Sequence, residues 1–118
     1  MTVALITGSA GLIGAETVRF FAERGLDTVG VDNDMRRYFF GEEASTAWAR
    51  RALEQSVRGY THVDADVRSE DAMARVFADA RPSAVLNLAA ETHVDRSIDG
   101  PAPFVHTNIV GTFVLLEA

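Results

Sequence analysis

The apolar residues of this chain fall into short blocks separated by glycine, proline and acidic positions. Val3 to Thr7 is an apolar, partly β-branched run that ends at a glycine, the pattern of a parallel strand buried on both faces. From Leu12 to Arg24 the period lengthens. Ile13, Thr17, Val18, Phe20 and Phe21 recur at helical spacing, and Gly25 ends the run. Thr28 to Val31 predicts a second strand ending at Asp32, and Tyr60 to Val63 a weaker third. Between them, 33–59 is irregular apart from a helix expected from about Glu43 to Val57. Ser69 is a candidate N-cap, with Glu70 and Asp71 placed to favour the helix dipole. That helix would bury Met73, Val76, Phe77 and Ala80, and Pro82 follows it. Ala84 to Leu88 predicts the fourth strand. A loop comes next, and Pro103 opens the last helix, where its missing N–H costs little.

Strands alternating with helices imply parallel pairing through right-handed crossovers. The expected fold is α/β: a Rossmann-type parallel sheet of order 3-2-1-4 with helices on both faces, in one domain over residues 1–118. The chain ends within an apolar helical pattern, Phe113-Val114-Leu115-Leu116, with no capping signal, so it reads as the N-terminal part of a longer enzyme.

This architecture gives meaning to three glycines. Gly8, Gly11 and Gly14 stand between the first strand and the first helix. A pyrophosphate needs backbone N–H groups aimed at it from a helix N-terminus. Gly8 permits the turn, Gly11 lets the backbone approach the phosphates, and Gly14 lets the helix pack against the sheet. Three glycines alone would equally suit a plain turn. The preceding strand, the following helix and an acid at the next strand's end favour a dinucleotide site. Asp32 lies 18 residues after Gly14, where its carboxylate can bind the ribose hydroxyls of adenosine and repel a 2′-phosphate, favouring NAD over NADP. Its plainer role would be a turn or cap. Arg36 and Arg37 could accept a phosphate but read more simply as solvated surface.

Charge and composition exclude other functions. The net charge is −6, so no basic surface is available for nucleic acid or an anionic membrane. There is no cysteine, hence no disulfide and no thiolate metal site. No histidine–carboxylate grouping has metal-ligand spacing, and no metal is expected. The N-terminus lacks a basic region and a long apolar run, so the chain reads as cytoplasmic and not membrane-bound. His62 and His106 read as structural. Arg50, Arg51 and Arg75 read as solvated helix faces.

The loop Thr7-Gly8-Ser9-Ala10-Gly11-Leu12-Ile13-Gly14, with Asp66-Val67 and Asn87-Leu88-Ala89-Ala90, resembles the extended short-chain dehydrogenase/reductase family of NAD-dependent sugar epimerases and dehydratases. Two branches of it leave marks. Leu88 to Ile98 and Thr107 to Thr112 closely resemble the dTDP-glucose 4,6-dehydratases. Asp32 to Gly41 and Ser45 to Trp48 look more like the CDP-paratose/tyvelose 2-epimerases.

The resemblance implies NAD as cofactor and a nucleotide sugar as substrate, and it allows a homodimer. It assigns the cofactor to Gly8, Gly11, Leu12, Ile13, Gly14, Asp32, Asn33, Asp66, Val67, Ala89, Ala90 and Thr107. Asp66 would meet the adenine amino group, with the Val67 backbone beside it. Ala89 and Ala90 would line the site at the end of the fourth strand, and Thr107 would lie near the nicotinamide half. His93 would approach the substrate, and Asn108 would support a proton relay. Each has a simpler alternative: Asp66 as a turn cap, His93 as a loop residue, Asn108 as a bridge from helix to strand. The family's catalytic tyrosine and lysine are absent, for the only tyrosines are Tyr38 and Tyr60 and there is no lysine. The implied reaction is oxidation at C4 of the sugar, loss of water across C5–C6 and return of the hydride. A 2- or 4-epimerase, or a non-catalytic NAD-binding sensor or scaffold, are the alternatives.

Overall fold

The computed structural model describes residues 2–118. Four strands form one parallel sheet in the order β3-β2-β1-β4: β1 Val3–Thr7, β2 Asp27–Val31, β3 Tyr60–Val63 and β4 Ala84–Asn87. The predicted order is the observed one. The register pairs Leu5 with Val29 and Val85, and Gly30 with His62. Successive β1 side chains point to opposite faces. Leu5 therefore joins Val31, Val67, Met73, Val76, Val114 and Leu115 on one side, while Ala4 and Ile6 join Ala15, Val18 and Leu53 on the other. Ala4, Leu5 and Ile6 are all fully buried, which explains why β1 is an unbroken apolar run.

Helix α1, Leu12–Glu23, packs on the second face through Gly14, Ala15 and Val18. The expected apolar stripe was partly misplaced. Ile13 is 64% and Phe20 47% exposed, because the buried face follows the small residues that let the helix sit close to the sheet. Phe21 is half-buried against that core.

The segment after β2 is more ordered than expected. A short helix α2, Met35–Phe40, and a 3-10 turn, Glu42–Ala44, precede α3, Ala47–Ser56, which starts later than the predicted Glu43. Asp34 and Gly41 flank α2 with positive φ (56° and 90°), and these left-handed residues set it apart as a separate turn. Asp34 accepts hydrogen bonds from Ser45 Oγ, Thr46 N and Thr46 Oγ1, which fix the path into α3.

Ser69 caps α4, Glu70–Ala80, as expected, its Oγ accepting from Ala72 N at 3.2 Å. Met73 and Val76 are buried, and Phe77 packs at the margin. After β4 the predicted loop contains α5, Val94–Asp99. The last helical run begins not at Pro103 but at Ala102. It comprises α6, Ala102–Phe104, a π-helical stretch at Val105–Val110 and α7, Gly111–Glu117. Pro101 precedes it, so Pro103 falls within its first turn, where no carbonyl awaits its missing N–H. Among the described residues no helix is long and apolar enough to cross a membrane.

Candidate functional site

At the C-terminal edge of the sheet, β1 and β4 stop together and the chain turns away from both. Thr7, fully buried, controls this divergence. Its Oγ1 donates to Asn87 Oδ1 (2.6 Å) and accepts from the N–H groups of Leu88 (3.0 Å) and Ala89 (3.1 Å). The 88–90 segment is thereby held beside the glycine loop. A cleft opens between them, the crevice where ligands of open α/β sheets bind.

The glycine loop forms one wall. Gly8 has φ 68°, and a Cβ there would come within 2.9 Å of Ala89 N, so both backbone conformation and space require glycine. A Cβ on Gly14 would overlap the carbonyl oxygen of Gly8, in keeping with the predicted close packing of α1. Gly11 differs. Its φ is ordinary (−74°), and a Cβ would approach only Gly8 O, at 3.3 Å. The protein itself leaves room at Gly11, and that room faces the cleft. The first three α1 residues, Leu12, Ile13 and Gly14, carry N–H groups that no carbonyl within the helix can reach. The Leu12 and Ile13 side chains project outward, 86% and 64% exposed, so their contribution to an anion would come from backbone.

Asp32 ends β2 at the floor of the cleft. One carboxylate oxygen accepts from Ala10 N (3.1 Å) and the other from Asp34 N (2.7 Å), so the side chain ties β2 to the glycine loop. It is a cleft wall and a turn cap at once. Asn33 lies beside it, and Arg36, exposed as expected, borders the same wall. Arg37 is exposed and pairs with Glu42 at 3.6 Å.

Asp66 and Val67 line the far end. The Asp66 carboxylate accepts from Arg68 N and from the Arg68 guanidinium, with a shortest contact of 2.6 Å, and so also caps its turn. Burial works to raise the Asp66 carboxyl, but the Arg68 bonds outweigh it and hold the group below its ordinary value. Those same bonds hold the Arg68 guanidinium above its ordinary value.

Ala89, Ala90, His93 and Thr107 also line the cleft, so ten of the twelve residues expected to hold cofactor or substrate, leaving Gly14 aside, meet at one place; Leu12 and Ile13 stand at its rim. His93 rests against Phe40, ring centroids 4.6 Å apart, and the Arg96 guanidinium lies 4.8 Å and 4.9 Å from the Phe39 and Phe40 ring centres. Asn108 does not reach the cleft. Its side chain accepts from Glu91 N and donates to Glu91 O, both at 2.9 Å, which is the bridging geometry. It acts on the cleft through Glu91, a half-buried lining residue whose carboxyl is raised by burial, against the opposing pull of His93, Arg96 and Arg68. His62 is engaged with Tyr60, and His106 is exposed. No group of three metal-ligating side chains occurs among the described residues.

Phe39, Phe40, Arg68 and Glu91 were missed from sequence. The aromatic run Tyr38-Phe39-Phe40 was visible, but only the turn of α2 brings it over the cleft. Arg68, two residues after Asp66, was the one local signal available.

Comparison with known proteins agrees with this geometry. Residues 5–118 match the family model described as GDP-mannose 4,6 dehydratase. The dTDP-glucose 4,6-dehydratase 1 of Escherichia coli (strain K12) is 47% identical over 114 residues, covering 97% of this chain and 30% of that protein. The chain thus spans about a third of the length of the curated relatives it matches. Among solved structures, UDP-glucose 4-epimerase of Thermotoga maritima with UDP-glucose has a TM-score of 0.77 at 32% identity, covering 98% of this chain and 33% of that one. The Thermus thermophilus UDP-glucose 4-epimerase in complex with NAD has a TM-score of 0.76 at 28% identity, covering 98% and 33%. The Rossmann-type sheet, its glycine loop and a family match running from Leu5 to the last residue together show that the chain belongs to the GDP-mannose 4,6 dehydratase family of NAD-dependent nucleotide-sugar epimerases and dehydratases.

Proposed function

We propose that this chain binds NAD and forms the cofactor-binding part of a nucleotide-sugar 4,6-dehydratase of the dTDP-glucose type, acting in the cytoplasm. The observation that carries the reading is the open space at Gly11, beside the unpaired amides of Leu12, Ile13 and Gly14. Those amides and the α1 dipole would hold the pyrophosphate. The Asp32 carboxylate would take the adenosine ribose, with Asn33 beside it. Asp66 and Val67 would bound the adenine. Ala89, Ala90 and Thr107 would line the remainder of the dinucleotide site, leaving His93 towards the sugar. Bound NAD supplies the hydride acceptor. The chain's own contribution is to orient it, through Thr7 and the Asn108–Glu91 clamp, which fix the 88–91 wall.

The dehydratase reading rests on the 47% identity to the E. coli relative. A 4-epimerase is the second reading, favoured by the two UDP-glucose 4-epimerase structures, at lower identity. Titration calorimetry with NAD and NADP tests the cofactor assignment. Saturable NAD binding with weaker NADP binding is expected, because a 2′-phosphate would stand against Asp32. Tighter NADP binding would remove Asp32 from its role. No binding of either would reject the site.

A further inference from the structure

The glycine loop is fastened from behind by residues that do not line the cleft. Tyr60 begins β3, at the edge of the sheet, and its hydroxyl lies 3.2 Å from Ser9 Oγ and 3.1 Å from His62 Nδ1. Ser9 is fully buried, and its Oγ accepts from the Tyr60 hydroxyl. The bridge crosses β2 at Gly30. A Cβ there would overlap the Tyr60 hydroxyl and would meet Ser9 Oγ and Cβ, so the absence of a side chain makes the passage. Burial raises the Tyr60 phenol above its ordinary value, which keeps it a hydrogen-bond donor. Burial, with help from Arg50, lowers His62 and so favours its neutral imidazole; the phenol's single hydrogen goes to Ser9 Oγ, and its oxygen accepts from His62 Nδ1.

Three further ties run to the end of β2, Gly8 N to Val31 O at 2.7 Å, Ser9 N to the same oxygen at 3.5 Å and Ala10 N to Asp32, while Gly11 N closes the turn on Gly8 O and Gly11 O accepts from Ala15 N of α1. The Ser9 N bond lies at the outer limit of hydrogen bonding, so the Tyr60 contact at 3.2 Å is the shorter of the two ties on Ser9.

We propose that Tyr60 is a positioning residue for diphosphate recognition, holding the Gly8–Gly11 turn in place through Ser9 across the gap at Gly30. The inference rests on the reading of that turn as the site of the NAD pyrophosphate. Tyr60 touches no ligand in this scheme. Its hydroxyl sets where the Gly11 backbone and the first α1 amides present themselves, while the adenosine end, built by Asp32 and Asp66, is joined to the turn only through the Ala10 N–Asp32 bond and depends on Tyr60 less.

The test is titration of the wild-type chain, Tyr60→Phe, Gly30→Ala and the double variant with NAD, ADP and adenosine, beside amide hydrogen exchange of residues 8–12 without ligand. Tyr60→Phe should weaken NAD and ADP by about five- to tenfold, the scale of one lost hydrogen bond, and weaken adenosine by less than about twofold. Gly30→Ala should do the same by parting the two hydroxyls, and the double variant should be no worse than the weaker single, since both break one link. Exchange at 8–12 should quicken in Tyr60→Phe while 47–56 stays as in wild type. Unchanged NAD affinity and exchange in Tyr60→Phe would overturn the inference alone, as would an equal loss for adenosine, which would mark a merely structural residue. A wild-type chain that binds NAD and ADP no better than adenosine would reject the phosphate-site reading and the inference together.

Discussion

Gly11 and Gly14 are three residues apart in one loop, yet the structure makes opposite demands on them. Gly11→Val should leave the fold intact and remove NAD binding. Its backbone (φ −74°, ψ 174°) suits any residue, and the nearest obstacle is Gly8 O, 3.3 Å from a built Cβ. Replacing glycine by valine before a helix costs about 1 kcal/mol at most. A branched side chain would, however, fill the space beside the Leu12 and Ile13 amides. Two charge-assisted hydrogen bonds lost at about 1.5–3 kcal/mol each amount to a 100-fold or greater drop in affinity. Gly14→Ala should do the reverse. Alanine gains about 1 kcal/mol in helix propensity. Its Cβ would overlap Gly8 O and come within 2.9 Å of Ser9 Cα, backbone that cannot move without shifting α1, at about 1–3 kcal/mol. The net effect is destabilisation by up to about 2 kcal/mol, or several degrees in Tm at about 4 °C per kcal/mol for a domain of this size. Circular dichroism with thermal melting reads the first quantity and calorimetry with NAD the second. A native-like Gly11→Val that binds NAD with unchanged affinity, or a Gly14→Ala that melts above wild type, would refute the reasoning.

Three further outcomes are expected. Thr28→Val should stabilise the chain by about 1 kcal/mol in urea denaturation, because the buried Thr28 hydroxyl has no hydrogen-bond partner among the described residues; destabilisation would reveal one. Asp66 is held below its ordinary 3.8, so its contribution to stability is present above that value and is lost as pH falls through the lower folded value; Tm measured from about pH 5 to pH 2 should drop less steeply in Asp66→Asn, and parallel curves would count against the Arg68 pairing. The 118-residue chain alone should not turn over dTDP-glucose, since it has no lysine to assist a tyrosine base. Formation of a 4-keto-6-deoxy product above a no-protein control, lost on mutating His93 or Asn108, would show otherwise.

The sheet was legible because β1, β2 and β4 are short runs dominated by apolar residues and the helices alternate with them, while β3, Tyr60-Thr61-His62-Val63, was the faintest of the four. Ser69 announced α4 in the same local way. The face of α1 was not legible, because periodicity counts large residues, and here Gly14 and Ala15 are buried while Ile13 and Phe20 face outward. Helix α2 escaped because its six residues are too few to show a period, and its start rests on the left-handed Asp34 held by Ser45 and Thr46, eleven and twelve positions on. Spacing named the glycine loop and Asp32, since the ends of β1 and β2 meet at the cleft in any doubly wound sheet, whereas Asp66, Val67, Ala89, Ala90, His93 and Thr107 were named through the family resemblance. What spacing could not decide was the use of each side chain. Asn108 has the residue type of a relay, but its contacts are with the Glu91 backbone.

The π-helical stretch at Val105–Val110 fixes the angular phase of everything after it. Each residue of an ordinary helix advances the chain by about 100°. The wide turn carries about one residue more than an α turn for nearly the same rotation, so deleting one residue from 105–110 would let it relax to α geometry with α7 kept in phase, whereas inserting one there would rotate α7 by about that angle. Val114 and Leu115, 3% and 7% exposed, would swing away from Met73 and Val67, and the exposed Phe113 and Leu116 would sweep round the axis with them. Chain length in this stretch is therefore set jointly by two addresses, the cleft that takes Thr107 and the core that takes Leu115. A single-residue insertion should be tolerated less well there than a single-residue deletion.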